Sequence, residues 1–415
     1  MRIVSLLSFS LFTSAVIAQC DGDRYFNQIF NDFYVTSDIV YGNNLDWTGA
    51  STDLLVDVYR PYGEDQTFER PLVIIVHGGS FLGGSKDGED VVPIARDLAK
   101  MGYVTASISY RLGVDPIGAL FNGETEFTRA VIRAYHDAKA AVRFFRKSVE
   151  EENNPYGINP DQIYMLGVSA GGFVALHLAY LNSESEIPAV IDQSLPGLGG
   201  GLDGESGNSG YSAEIAGLVN IAGAMGDVAW MEGETTPVLS FHGDADGTVP
   251  YESGSPLGGI VPITVFGSAP IHAEADAQGI LNCFVPHPGA DHVPHVSNAA
   301  YYDTTRAISA NFLGHLVCPT IPLDCDYREV TLNIDEETLA GLTAFPNPVS
   351  DRLTLNKPGV QSAFIEVYDL NGRLVIDERM VGEQHLLNVG QLTSGWYVLR
   401  LISNGESETL KFIVE

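Results

Sequence analysis

The chain predicts an α/β fold with a doubly wound, mostly parallel sheet, joined to a small C-terminal all-β sandwich. From about residue 52 to residue 317, continuous apolar runs rich in β-formers alternate with stretches of helical spacing. That order buries a parallel sheet between two helix layers. From about residue 341 the runs become short, alternate apolar with polar, and are separated by turn pairs, as in an antiparallel sandwich. Hydrophobic residues make up 45% of the 415 positions, enough for one large core and one small one.

The first stretch belongs to neither core. Arg2 precedes an apolar run from Ile3 to Ile17, and Val16-Ile17-Ala18 offers small residues for cleavage, so residues 1–18 read as a signal peptide. The body then spans residues 19–318. Leu54–Tyr59, Pro71–Val76, Tyr103–Tyr110, Gln162–Gly167, Ile215–Ala222 and Pro237–Phe241 read as strands. Helical spacing covers Val91–Met101, Thr125–Glu152, Gly171–Leu181, Ala273–Leu281 and Ala299–Leu316. Residues 196–212 are glycine-rich and polar, either a mobile flap over a site or a long surface loop. Residues 319–340, with their prolines and acids, read as a linker to residues 341–415. In that last part Leu353–Leu355, Phe364–Tyr368, Arg373–Ile376, Leu386–Val389, Trp396–Ile402 and Thr409–Val414 read as strands. Asn371-Gly372, Ser394-Gly395 and Asn404-Gly405 are their turns.

The charge balance, 22 basic against 53 acidic residues for a net −31, argues against binding nucleic acid or anionic membranes. No later run reaches the roughly 18 apolar residues of a membrane helix, so no membrane span is expected. In an exported chain Cys20, Cys283, Cys318 and Cys325 are expected to form disulfides. Three pairings are open, including a local Cys318–Cys325 clip and a bridge from Cys20 to either of them. Neither the cysteine nor the histidine spacing matches a metal site, and no cofactor motif is present.

The chemistry concentrates in four segments. Gly167-Val168-Ser169-Ala170-Gly171 follows an apolar strand and opens a helix, the context in which a strained turn projects a nucleophilic hydroxyl above the sheet. His77-Gly78-Gly79-Ser80-Phe81 ends the preceding apolar strand and offers amides to a developing oxyanion. Phe241-His242-Gly243-Asp244-Ala245-Asp246 and then Gly289-Ala290-Asp291-His292 supply an acid and a base in the order such sites use. Asp246 and Asp244 are the candidate acids, and His292, His295 and His287 the candidate bases. Phe81, Trp230 and Tyr251 follow expected strand ends and are candidates to line an acyl or aromatic pocket.

These segments, over about residues 50–317, resemble the α/β-hydrolase carboxylesterases of the His-Gly-Gly-x type. The resemblance implies a serine ester hydrolase without cofactor, with Ser169, His292 and Asp246 as triad and Gly78, Gly79 and Ala170 as oxyanion donors. It further implies that His77 braces its loop and that Asp137 is structural. Ser80 stands where the family often has a third glycine. Acetyl or feruloyl groups on polysaccharides, small aliphatic esters and polyesters are the expected substrates. A prolyl-oligopeptidase-type peptidase and a non-catalytic adhesion scaffold are the alternatives; a lipase is disfavoured because no long apolar lid stretch is evident. Phe345-Pro346-Asn347-Pro348, Val367-Tyr368-Asp369-Leu370-Asn371-Gly372, Leu392–Tyr397 and Lys411-Phe412-Ile413-Val414 resemble the C-terminal sorting domain of type IX secretion substrates. That implies the type IX machinery as a partner. It also implies passage through the periplasm to the surface or exterior of a Gram-negative cell, usually with loss of the tail.

Overall fold

Arg70–Val76 (β3) is buried at all seven positions, as a strand covered on both faces must be. It lies inside an eight-stranded sheet in a computed structural model describing residues 20, 23–63, 69–326, 342–369, 373–403 and 406–415. The expected signal peptide, most of the expected linker, and the Asn371-Gly372 and Asn404-Gly405 turns lie outside those residues. The other strands are β1 (Phe33–Leu45), β2 (Ser51–Pro61), β4 (Val104–Ile108), β5 (Ile158–Val168), β6 (Leu218–Ile221) and β7 (Val238–Gly243). After the small β8–β9 ribbon (Ser253–Gly254 with Val265–Phe266) comes β10 (Asn282–His287). The order is β1-β2-β4-β3-β5-β6-β7-β10; β1–β2 and β2–β4 pair antiparallel and every other neighbour pairs parallel.

Alternation along the strands splits the core in two. Leu72, Ile74 and Val76 face one layer with α2 (Pro116–Glu151), α3 (Ala170–Tyr180) and α4 (Ser268–Gln278). Val73 and Ile75 face the other, with α1 (Val92–Lys100) and α5 (Ala299–Val317). Two strands of the eight-stranded sheet were not anticipated. β1 is an exposed edge whose register shifts twice, which breaks the period-2 signal. β10 carries Pro286, tolerated because β10 is the opposite edge. α2 begins at Pro116 rather than Thr125, N-capped by Asp115 and bent at Asn122 (φ −152°, ψ 59°). α4 begins five residues before the expected Ala273 and stops at Gln278.

The glycine-rich segment 196–212 is a long loop without helix or strand, anchored by buried polar groups. The guanidinium of Arg111, buried against Asp137, donates to the carbonyls of Leu45 and Gly197 and to Ser206 Oγ, which itself donates to Asp137 at 2.6 Å. The carbonyls of Gly201 and Asp203 accept from His136 and Arg143. Asp137 is therefore structural. The disulfides are Cys20–Cys318 and Cys283–Cys325, so the local Cys318–Cys325 clip does not form. The second bridge and the Asn311 side chain hold residues 322–325 against the hydrolase unit, inside the stretch expected to be linker.

The chain separates into residues 1–329 and 330–415. The second unit packs a three-stranded sheet, β11 (Thr343–Phe345), β12 (Arg352–Asn356) and β15 (Gln384–Asn388), with a four-stranded one. The latter comprises β13 (Ser362–Tyr368), β14 (Leu374–Val381), β16 (Gly395–Ser403) and β17 (Glu406–Val414). Both are antiparallel, with Leu353, Ile365, Leu399 and Phe412 among the buried side chains between them.

Candidate active site

Ser169 stands between β5 and α3 with φ 54° and ψ −115°, a conformation that side-chain-bearing residues rarely adopt. Its neighbours make that turn possible. A Cβ on Gly167 would lie 2.0 Å from the carbonyl oxygen of Gly171, and one on Gly171 would lie 2.0 Å from that of Val76. Both contacts are with backbone, so neither position admits a side chain.

The hydroxyl of Ser169 is 2.8 Å from His292 Nε2, and His292 Nδ1 is 2.6 Å from Asp246 Oδ2. A carboxylate only accepts, so Nδ1 carries the proton and Nε2 presents its lone pair to the serine hydroxyl. The Asp246 side chain is inaccessible to solvent; its Oδ1 accepts from the amides of Thr248 and Val249. Burial alone would raise its carboxyl, yet hydrogen bonds from His242 and His292 outweigh burial and hold it well below the usual carboxylate range. Asp244 instead accepts from the Gly289 amide, and Asp291 from those of Gly247 and His292, which ties the acid loop to the histidine loop. His295 is buried, and desolvation pushes its pKa down to about 4. His287 packs against Phe241 and Tyr301.

His242, near the end of β7, also reaches the acid. Its Nε2 lies 3.3 Å from Asp246 Oδ2 and 3.2 Å from the Val249 carbonyl, and its Nδ1 lies 2.8 Å from Ser268 Oγ. The Asp246 carboxylate and the Val249 carbonyl only accept, so His242 Nε2 carries a proton and donates to Asp246, while Ser268 Oγ also accepts from Asn220 Nδ2. The sequence held one signal for this, a histidine four residues before the acid, and that signal is weak by itself.

Of the expected oxyanion donors, Gly78 is corrected: its amide donates to Asp90 Oδ2 at 2.7 Å. Its lack of a side chain still matters, since a Cβ there would lie 3.2 Å from Ser169 Cβ. The amides of Gly79 (φ 113°) and of Ala170, the first residue of α3, meet no protein acceptor among the described residues. His77 braces the turn: its ring stacks on Tyr110, its Nδ1 is 2.7 Å from the Gly78 carbonyl, and the Tyr110 hydroxyl donates to the His77 carbonyl.

A cavity of about 230 Å³ opens beside Ser169, lined by Phe81, Val114, Phe127, Phe173, Leu257 and Ile260 among others. Phe81, Phe127 and Phe173 meet edge to face. Phe81 is thus placed as expected. Trp230 lines a separate cavity of about 520 Å³ that shares Phe127 and Phe173 as a wall. Tyr251 lines neither cavity and stacks on Phe284. Among the described residues no cluster of His, Cys, Asp or Glu could hold a metal, and no helix is long and apolar enough to cross a membrane.

Residues 56–224 match the BD-FAE family, a stretch that includes the Gly78-Gly79 turn and Ser169 but ends before Asp246 and His292. Residues 343–415 match the secretion system C-terminal sorting domain. Carboxylesterase 3B of Mus musculus is 30% identical over 30% of the chain, and pyrethroid hydrolase Ces2a of the same species is 31% identical over 34%. The chain spans 20% and 24% of those relatives' own lengths. The propionate-bound esterase 2 of Thermogutta terrifontis superposes over 68% of this chain and 94% of its own, at 20% identity and a TM-score of 0.46. Residues 56–224 are thus similar to the BD-FAE family, and residues 343–415 to the secretion system C-terminal sorting domain.

Proposed function

We propose that this protein is an exported serine carboxylic-ester hydrolase that works through an acyl-enzyme on Ser169. The observation that carries the reading is the unbroken hydrogen-bonded line Ser169–His292–Asp246 at 2.8 and 2.6 Å. Ser169 Oγ attacks the ester carbonyl carbon while His292 Nε2 takes its proton. Asp246 holds the tautomer and stabilises the imidazolium. Gly79 and Ala170 amides stabilise the oxyanion of the tetrahedral intermediate. His292 then returns the proton to the leaving alcohol, and a water repeats the sequence to release the acid. The acyl group enters the apolar cavity beside Ser169. Acetyl or feruloyl esters of polysaccharides and small aliphatic esters are the substrate classes this reading takes. The sorting domain supports export through the type IX machinery to the surface or exterior of a Gram-negative cell.

The test is turnover of dissolved p-nitrophenyl acetate and methyl ferulate by the full chain and its Ser169→Ala variant. The expected result is hydrolysis well above buffer that falls by at least about 10³-fold in the variant. A folded wild-type protein that leaves both esters intact would overturn the reading.

A further inference from the structure

The large apolar side chains that the hydrolase unit exposes most are gathered in one place. Among its described residues these are Phe121 at 83%, Ile260 at 80%, Leu120 at 79%, Ile117 at 72% and Leu82 at 62%, with Tyr62 next at 53%. Leu82 and Ile260 themselves line the cavity beside Ser169. Ile117, Leu120 and Phe121 belong to the first turns of α2, before the Asn122 bend, where Ala119 and Gly123 reach the same cavity. A Cβ on Gly123 would touch Pro262, so this short helical arm and the loop carrying Ile260 meet at the cavity mouth. Isolated exposed apolar residues need no explanation, whereas a contiguous set around a site marks a surface meant to be covered.

We propose that this rim seats the enzyme on droplets of an uncharged, water-insoluble aliphatic ester, so that ester passes from the droplet into the Ser169 cavity without crossing water. The inference rests on the esterase reading and names its substrate class. Two observations choose the occupant. The rim is continuous with the apolar cavity that holds the candidate nucleophile, so what covers it must itself deliver an ester. The chain carries a net charge of −31, which repels an anionic bilayer and leaves an uncharged phase as the surface it can approach. The long apolar lid that the sequence lacks is replaced by three side chains on a bent arm and two on facing loops.

The test compares the full chain with an Ile117→Ser/Leu120→Ser/Phe121→Ser variant, none of whose changes lies in the cavity wall. Glyceryl tributyrate is supplied below and above its solubility limit, with dissolved p-nitrophenyl acetate as the control. The wild type is expected to accelerate several-fold once droplets form. The variant should lose that rise and keep its p-nitrophenyl acetate rate to within about twofold. Smooth saturation through the solubility limit, or an equal rise in the variant, overturns the proposal while leaving the esterase reading standing. Should the triple variant lose the control activity, the single Leu120→Glu change takes its place with the same expectations. A second arm does not depend on turnover: Ser169→Ala protein should co-float with tributyrate droplets and stay clear of phosphatidylglycerol vesicles, and the same protein with the rim changes should stay in the aqueous layer. Flotation with the anionic vesicles, or a rim-dependent dimer in sedimentation, would overturn the droplet as occupant.

Discussion

Ser169 holds a backbone conformation that costs on the order of 1–3 kcal/mol, and its surroundings enforce it through backbone-to-backbone approaches at Gly167 and Gly171. That constraint is why the nucleophile was legible: only glycine fits at both flanks, and the pattern survives any change of surface. Asp246 and His292 were legible for a related reason, since each sits in a short turn after a parallel strand. Asp90 lies twelve residues beyond Gly78 on a different segment, so nothing local showed that it claims the Gly78 amide. His242 escaped notice because its role depends on Asn220 and Ser268, contributed by two other elements. Substituting Phe for His242 removes one donor from the Asp246 carboxylate. The expected result is a fall in kcat of roughly tenfold with KM little changed. An unchanged kcat would reduce His242 to a packing residue.

At the scale of elements, the parallel strands were readable because they are buried on both faces and therefore continuously apolar, whereas the edges were not. β1 is mostly exposed and irregular, and β10 contains a proline, so both lack the pattern that marks a strand. Segment 196–212 misled in the opposite direction. Its glycines suggested mobility, yet they let the chain press against His136, Arg111 and Glu184, with buried polar groups taking up its carbonyls. The anchor of that arrangement is the Arg111–Asp137 pair, in which both side chains are inaccessible to solvent. Asp137→Ala leaves a guanidinium buried with no carboxylate, and is expected to destabilise the hydrolase unit by about 3–5 kcal/mol. The measurement is the denaturant midpoint. A loss below about 1 kcal/mol would mean that water reaches Arg111 and that the segment opens after all.

For the whole molecule, the buried histidines make stability depend on acid. His136, His177, His272 and His295, all in the hydrolase unit, are each pushed down to about 4, with burial as the largest cause. An unfolded chain titrates these groups near 6.5. Between about pH 6.5 and pH 4 the unfolded state therefore binds protons that the native state refuses. Stability is fully present above that window and falls as the pH drops through it. The depressed Asp246 carboxyl extends the same slope further into acid. The slope of unfolding free energy against pH near 5 should approach four protons, and His177→Gln should lower it by about one. A denaturant midpoint that stays level from pH 7 to pH 5 would contradict that accounting. The disulfides carry a further consequence at this scale. Cys20–Cys318 closes 298 residues of sequence into a covalent ring, with the Cys283–Cys325 bridge straddling its seam. A protease that cuts once within that ring opens a circle without freeing a fragment, so a nicked chain stays one molecule. Beyond Cys325 no bridge remains, and a single cut there sheds the sorting domain while every covalent staple stays with the hydrolase.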